Sequence, residues 1–149
     1  MGEIPDAVLF ACNLNRVRSP MAAALLRRRF AGRIFIDCCG LRPDEPAVDP
    51  FAAAVMAELG EDLSAHRAKS FDELEDGSFD LIISLTPEAH HRAAEMARAR
   101  SVDFEYWPTP DPTLETGSRD QRLDAYRRMR DELDLKLRER FPSLTSFGG

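Results

Sequence analysis

Ala7-Val8-Leu9-Phe10-Ala11-Cys12-Asn13-Leu14-Asn15-Arg16-Val17-Arg18-Ser19-Pro20-Met21-Ala22-Ala23-Ala24-Leu25-Leu26 holds two patterns with a break between them. Residues 7–11 are continuously apolar, as in a parallel strand covered on both faces. Ser19-Pro20 then carries two helix-start signals, a serine at the cap and a proline at the first helical position. Met21 to Leu26 continues as a strong helix. Strand, short loop and helix are the opening of a parallel α/β sheet. Ligands in such sheets bind outside the carboxyl ends of the strands, so residues 12–19 are the first place to look for a site.

The alternation continues downstream. Ile34-Phe35-Ile36 reads as the second strand. Asp49-Pro50 opens a helix through Phe51, Val55, Met56 and Leu59, which Gly60 stops. Phe79 to Leu85 reads as a third strand, Pro87 to about Ala99 as a helix, and Val102 to Tyr106 as a short fourth strand. The link Trp107-Pro108-Thr109-Pro110-Asp111-Pro112-Thr113 is expected to be irregular, because each proline removes a donor and fixes φ. Ser118 caps a last helix to about Arg140, with the apolar stripe Leu123, Tyr126, Leu133, Leu137 and Phe141. The expected fold is one α/β domain over residues 1–149: a four-stranded parallel sheet with helices on both faces and right-handed crossovers. Residues 142–149 are expected to form a loose tail.

At 149 residues such a domain buries enough core to need no disulfide or metal staple. Its formal charge, 20 − 26 = −6, repels a phosphate backbone and argues against a nucleic-acid partner. The apolar runs are too short to cross a bilayer, and the first residues carry acids where a signal peptide needs bases. No membrane partner and a cytoplasmic location are therefore expected. The cysteines, Cys12, Cys38 and Cys39, are sparse and odd in number, which fits a reducing compartment.

A cysteine at a strand end, five residues, then arginine, serine and a helix start provide what an oxyanion cradle with a built-in nucleophile needs. Five residues can curl so that backbone N–H groups converge on a tetrahedral anion, and the helix start adds unpaired N–H groups and a positive dipole end. Arg18 can fork onto two oxygens. The same field favours a Cys12 thiolate, and Ser19 is placed to donate to the sulfur. The spacing by itself is weak evidence, since a buried cysteine ending a core strand is common. Its position between an apolar strand and a Ser-Pro helix start favours function. Asp111, rigidly flanked by Pro110 and Pro112, reads from composition alone as a routine turn.

Val8-Leu9-Phe10-Ala11-Cys12 with Asn15 and Arg18-Ser19-Pro20-Met21-Ala22 resembles the opening of the low-molecular-weight protein tyrosine phosphatase family. Its fold, phosphotyrosine phosphatase I-like, is shared by the thiol-dependent arsenate reductases. The resemblance continues through Asp37 to Gly40, Glu58-Leu59-Gly60, Leu63 to Lys69, Phe79-Asp80-Leu81-Ile82 and Asp111-Pro112. It implies phosphomonoester hydrolysis through a cysteinyl-phosphate on Cys12, with no metal and no cofactor. Asn13, Leu14, Asn15, Arg16, Val17, Arg18 and Ser19 would cradle the phosphate. Asp111 would be the general acid and base, and His66, Asn15 and Ser19 would support the loop. The implied partner is a phosphorylated substrate, a phosphotyrosine protein or a small aryl phosphate, taken by a monomer whose loop also accepts phosphate or sulfate.

Three departures from the family pattern bear on activity. Leu14 stands where glycine is usual, so it either strains the backbone or faces the mouth and alters substrate shape. Val17 replaces a second thiol that could protect Cys12, and Thr113 and Leu114 stand where tyrosines are common. Arsenate reduction is the rival reading. The usual thioredoxin-linked relay needs two cysteines after the third strand, yet Ser84 to His91 contains none, so an external thiol, Cys38 or Cys39 would be required. A low-turnover oxyanion-binding module is a third reading. Cys38-Cys39 are expected to pack behind the site and His90-His91 to lie on the surface. The Arg27-Arg28-Arg29 run reads as a solvated helix end, and Tyr106 and Trp107 as aromatic core.

Overall fold

The computed structural model describes residues 4–30, 32–75 and 77–142. Its elements are β1 (Ala7–Cys12), α1 (Arg18–Phe30), β2 (Phe35–Gly40), α2 (Pro50–Ala57), β3 (Leu81–Ser84), α3 (Pro87–Arg100), β4 (Asp103–Tyr106) and α4 (Arg119–Arg140), with single 3-10 turns at Phe71–Glu73 and Pro112–Leu114. The sheet is parallel throughout, in the order β2-β1-β3-β4. β1 lies inside it, paired with β2 on one side and β3 on the other, and all six of its residues are buried.

The pleat sends alternate β1 side chains into two cores. Val8, Phe10 and Cys12 join the larger one, which is closed by α1, α2 and α4. Ala7, Leu9 and Ala11 join the smaller one under α3, where Ala89, Ala93 and Ala97 let the helix lie close. Helices thus cover both faces. Among the described residues no helix is long and apolar enough to cross a membrane.

Several local expectations need correction. β2 runs four residues beyond Ile36, to Gly40, because it keeps pairing with β1 up to Cys12. Asp37, which breaks the apolar run, is accommodated on the sheet edge by Lys69, whose Nζ lies 2.7 Å from its carboxylate. α1 begins at Arg18, so Ser19 is not a cap; the Val17 carbonyl accepts the first bond, from Met21 N at 3.1 Å. Pro20 is tolerated in this first turn because its missing N–H would have no partner there. The proline-rich link is not wholly irregular either. Asp111 caps the 3-10 turn at Pro112–Leu114, its carboxylate accepting from Thr113 N at 2.9 Å and Thr113 Oγ1 at 2.7 Å. The expected loose tail falls almost wholly at 143–149, outside the described residues.

α2 and α4 have the expected caps, Asp49 and Ser118, each accepting backbone N–H groups of the first turn. Leu123, Tyr126, Leu133 and Leu137 form the buried stripe of α4. On that helix Leu133 is 1% exposed and Leu135 50%. Leu133→Ala is therefore expected to cost about 2–5 kcal/mol in urea unfolding, and Leu135→Ala no more than about 0.5 kcal/mol. Equal losses would mean that α4 presents a different face to the sheet.

Candidate active site

The chain leaves β1 at Cys12 and must reverse before α1 begins at Arg18. The turn is made at Asn15, which is fully buried with φ 59°, a conformation asparagine adopts more readily than most side chains. Leu14 is therefore not the strained residue; among the described non-glycine residues only Asn15 and Ser101 have positive φ. Asn15 Nδ2 donates to Ser19 Oγ at 2.8 Å and Asn15 Oδ1 accepts from Lys69 N at 2.9 Å. Its carbonyl lies 2.8 Å from His66 Nε2. Burial depresses the His66 pKa, although this carbonyl works against the shift. The ring is thus held neutral, with Nε2–H as the donor. Gly40, the register partner of Cys12, lies against the turn: a Cβ there would sit 2.8 Å from both Asn13 O and Asn15 N.

The Cys12 sulfur, in a residue only 2% exposed, has two polar neighbours. Asn15 N–H donates to it at 3.3 Å, and Ser19 Oγ lies 2.9 Å away. Because Ser19 Oγ already accepts from Asn15, its own proton is free to point at the sulfur, with Cys39 O a more distant alternative at 3.4 Å. Cys38 and Cys39 are buried on opposite faces of β2. Burial pushes the Cys38 thiol up to about 12 and Cys39 higher still, so both are held protonated.

Above the turn is a cavity of about 290 Å³ lined by Asn13, Leu14, Arg18, Leu41, Arg42, Glu88 and Asp111. The proline-rich link reaches it from β4: Trp107 N bonds Ser84 O at 2.8 Å and Thr109 N bonds Leu85 O at 3.1 Å. Arg18 Nη1 donates to Thr109 O at 3.0 Å, tying the first helix to the segment that carries Asp111. Asn13, Leu14, Arg18 and Asp111 are thus brought to one opening. The Arg16 and Val17 side chains are not: Arg16 turns to Ala47 O at 2.7 Å and Glu45 at 3.5 Å, and Val17 packs on the core.

The fold agrees with known proteins. A family model described as low molecular weight phosphotyrosine protein phosphatase matches residues 7–146. The chain belongs to that family. It is thereby a cysteine-dependent phosphatase by descent. A probable low molecular weight protein-tyrosine-phosphatase of Ralstonia solanacearum, EpsP, is 42% identical over 112 residues, 70% of this chain and 77% of the relative. The glutaredoxin arsenate reductase of Synechocystis sp. is 29% identical over 126 residues, 85% of this chain and 88% of the relative. The solved structure of an arsenate reductase in the oxidized state superposes with a TM-score of 0.74 at 25% identity, covering 90% of this chain and 95% of that one.

Within this family fold the sequence reading missed Gly40, Arg42, Lys69, Thr86 and Glu88. Thr86 Oγ1 donates to Asn13 Oδ1 at 2.7 Å, and Asn13 Nδ2 donates to Glu88 at 3.4 Å. Arg42 and Glu88 follow β2 and β3, so the carboxyl-end rule that pointed to Cys12 could have found them too. Among the other residues singled out, His91 is exposed. His90 is half-buried, with Nδ1 2.9 Å from Ser84 Oγ and its ring stacked on Tyr106 at 4.9 Å. Trp107 packs against the larger core, whereas Tyr106 is exposed. Arg27 and Arg29 are tied to Ile36 O and Asp134 rather than free in solvent.

Two predictions concern the support of the turn. Gly40→Ala pushes its Cβ into backbone rather than a movable side chain, and a displacement of about 1 Å at such a site costs about a hundredfold in rate. Aryl phosphate turnover should fall to that extent while circular dichroism stays native; unchanged turnover would show that the turn tolerates the contact. The depressed His66 pKa contributes stability that is complete above about pH 6.5 and lost as pH falls through the folded value. The melting temperature measured from pH 8 to pH 5 should fall more steeply for the native chain than for His66→Gln; parallel profiles would count against a neutral His66.

Proposed function

We propose that the protein hydrolyses phosphomonoesters through a cysteinyl-phosphate on Cys12. The observation that carries this reading is the sulfur at the base of the turn, with Asn15 N–H and Ser19 Oγ beside it, while Arg18 and Asp111 line one cavity above. Those two groups can hold charge on the sulfur, and the turn and the start of α1 supply N–H groups to a bound oxyanion. Arg18 would fork onto two phosphoryl oxygens. In the first step the Cys12 thiolate attacks phosphorus, an S–P bond forms and the P–O ester bond breaks. Asp111, protonated, gives its proton to the departing oxygen. In the second step water attacks phosphorus, its proton passes to Asp111, the S–P bond breaks and inorganic phosphate leaves.

The mouth favours substrates other than a tightly sandwiched flat ring. No aromatic residue is among those lining the cavity, and Leu14, 40% exposed, occupies its rim. Arsenate reduction is supported by the Synechocystis relative. It needs a second thiol to attack the arseno-thiol on Cys12, and Cys38 and Cys39 are buried and protonated, so that thiol would have to come from outside.

Given p-nitrophenyl phosphate with a chelator, and arsenate with and without glutaredoxin or low-molecular thiols, the protein is expected to release p-nitrophenol and no arsenite. Arsenite as the sole product would replace the phosphatase reading, and phosphate binding with neither product would leave an oxyanion-binding module. Cys12→Ser should abolish release. Asp111→Asn should slow poor leaving groups by about 10²- to 10⁴-fold and good ones less, and Arg18→Lys should be poorly tolerated because a point charge cannot replace the fork.

A further inference from the structure

The cavity carries two charges that the proposed reaction does not use. Glu88, the second residue of α3, stands on one wall, and Arg42, two residues past β2, stands on the other. An acid in the first turn of a helix ordinarily serves the helix dipole, a role that needs no particular direction. Here the side chain is on the cavity side, with Oε1 3.4 Å from Asn13 Nδ2, near the long limit for a hydrogen bond. Asn13 is held without it, by Thr86 Oγ1 at 2.7 Å, and Thr86 is itself buried as the cap of α3. Asn13 O also accepts from the Arg42 backbone N–H at 2.9 Å, which fixes where that residue leaves the sheet. Among the described residues neither Glu88 nor Arg42 forms an ion pair, although both are exposed.

The charges at the opening divide by task. In the proposed reaction Arg18 takes the phosphoryl group and Asp111 the departing oxygen, which leaves Glu88 on the α3 side and Arg42 on the β2 side. A neutral leaving group engages neither. The cavity of about 290 Å³ exceeds the volume of a tetrahedral oxyanion and leaves room between those walls for part of a leaving group and what flanks it. A cation there is attracted to Glu88, while an anion on the same side meets both Glu88 and the dianion already in the loop.

We propose that Glu88 is a specificity-determining residue and that the substrate carries a basic group beside its phosphoester, read by Glu88 on the α3 wall. This deepens the phosphatase reading and rests on it. The basic group could be a Lys or Arg side chain flanking a phosphorylated residue, or an ammonium on the phosphoester itself, and the two sources separate experimentally. Because the pair is exposed, its worth is modest, about two- to fivefold, and it weakens with salt.

The test measures kcat/KM at low ionic strength for phosphotyrosyl peptides of one length with lysine or glutamate flanks, and for phosphotyramine against phenyl phosphate. The basic-to-acidic ratio is taken within each variant, so changes in overall activity cancel. The native chain should favour the basic member by about two- to fivefold, mostly through KM. Glu88→Gln should bring the ratio close to one, Glu88→Arg should invert it, and Arg42→Gln should raise it. A preference among peptides with none for phosphotyramine assigns the cation to the flanking residue; the reverse assigns it to the phosphoester. A native ratio of one in both series, or a ratio unmoved by Glu88→Gln, overturns the proposal. p-Nitrophenyl phosphate run alongside separates the two readings: release of p-nitrophenol without charge preference defeats only the role of Glu88, and no release defeats the phosphatase reading itself.

Discussion

The buried amide of Asn15 is the constraint on which the site depends. A side-chain amide without water must satisfy both ends, and leaving one unpaired costs about 1–3 kcal/mol. Asn15 meets that demand by giving Nδ2–H to Ser19 and accepting from the Lys69 backbone on Oδ1. Both bonds also decide something else. The first fills an acceptor position on Ser19 and so frees its proton for Cys12. The second draws the 66–69 segment against the turn, where His66 meets the Asn15 carbonyl. Such a network holds or fails as a unit, and among the described residues no buried side-chain nitrogen or oxygen lacks a partner.

Strand order then assembles the opening. β1 lies between β2 and β3, so the segments leaving these three strands emerge side by side at one end of the sheet. The segment after β1 brings the sulfur and the turn, that after β2 brings Gly40 and Arg42, and that after β3 brings Thr86 and Glu88. The fourth contribution crosses from β4 on a link whose prolines limit its freedom and whose carbonyl at Thr109 meets Arg18. The proposed nucleophile therefore sits on a fully buried inner strand, and the proposed proton carrier on a segment held just before Asp111 by the backbone bonds of Trp107 and Thr109.

Much of this was legible. The apolar run 7–11 reads as a buried strand because burial on both faces leaves no room for alternation, and the caps at Asp49 and Ser118 are local chemistry that the structure repeats. Ser19 misled for a physical reason. Ser-Pro is a valid start signal, but the hydroxyl has stronger partners in Asn15 and Cys12 than a backbone N–H, and the helix begins at Arg18, two residues before Pro20. The apolar pattern of β2 stops at Ile36 because Asp37 breaks it, whereas strand pairing and Lys69 carry the strand on to Gly40. Of the two readings of Leu14, a strained backbone or a place at the mouth, the structure has the second: the left-handed residue is its neighbour, and Leu14 lines the cavity.

Read alone, the chain of residues settled the element types, their order, the family likeness and the placing of Cys12 between a core strand and a helix. Those features follow from periodicity and from caps acting over a few residues. Which groups reach the sulfur, where the proline-rich link arrives, and which charges border the opening were decided only by the folded arrangement. Thr109 and Arg18 are 91 residues apart, Asn13 and Glu88 75, and Lys69 and Asn15 54. No local pattern encodes such separations, because they exist only once the sheet has chosen its neighbours.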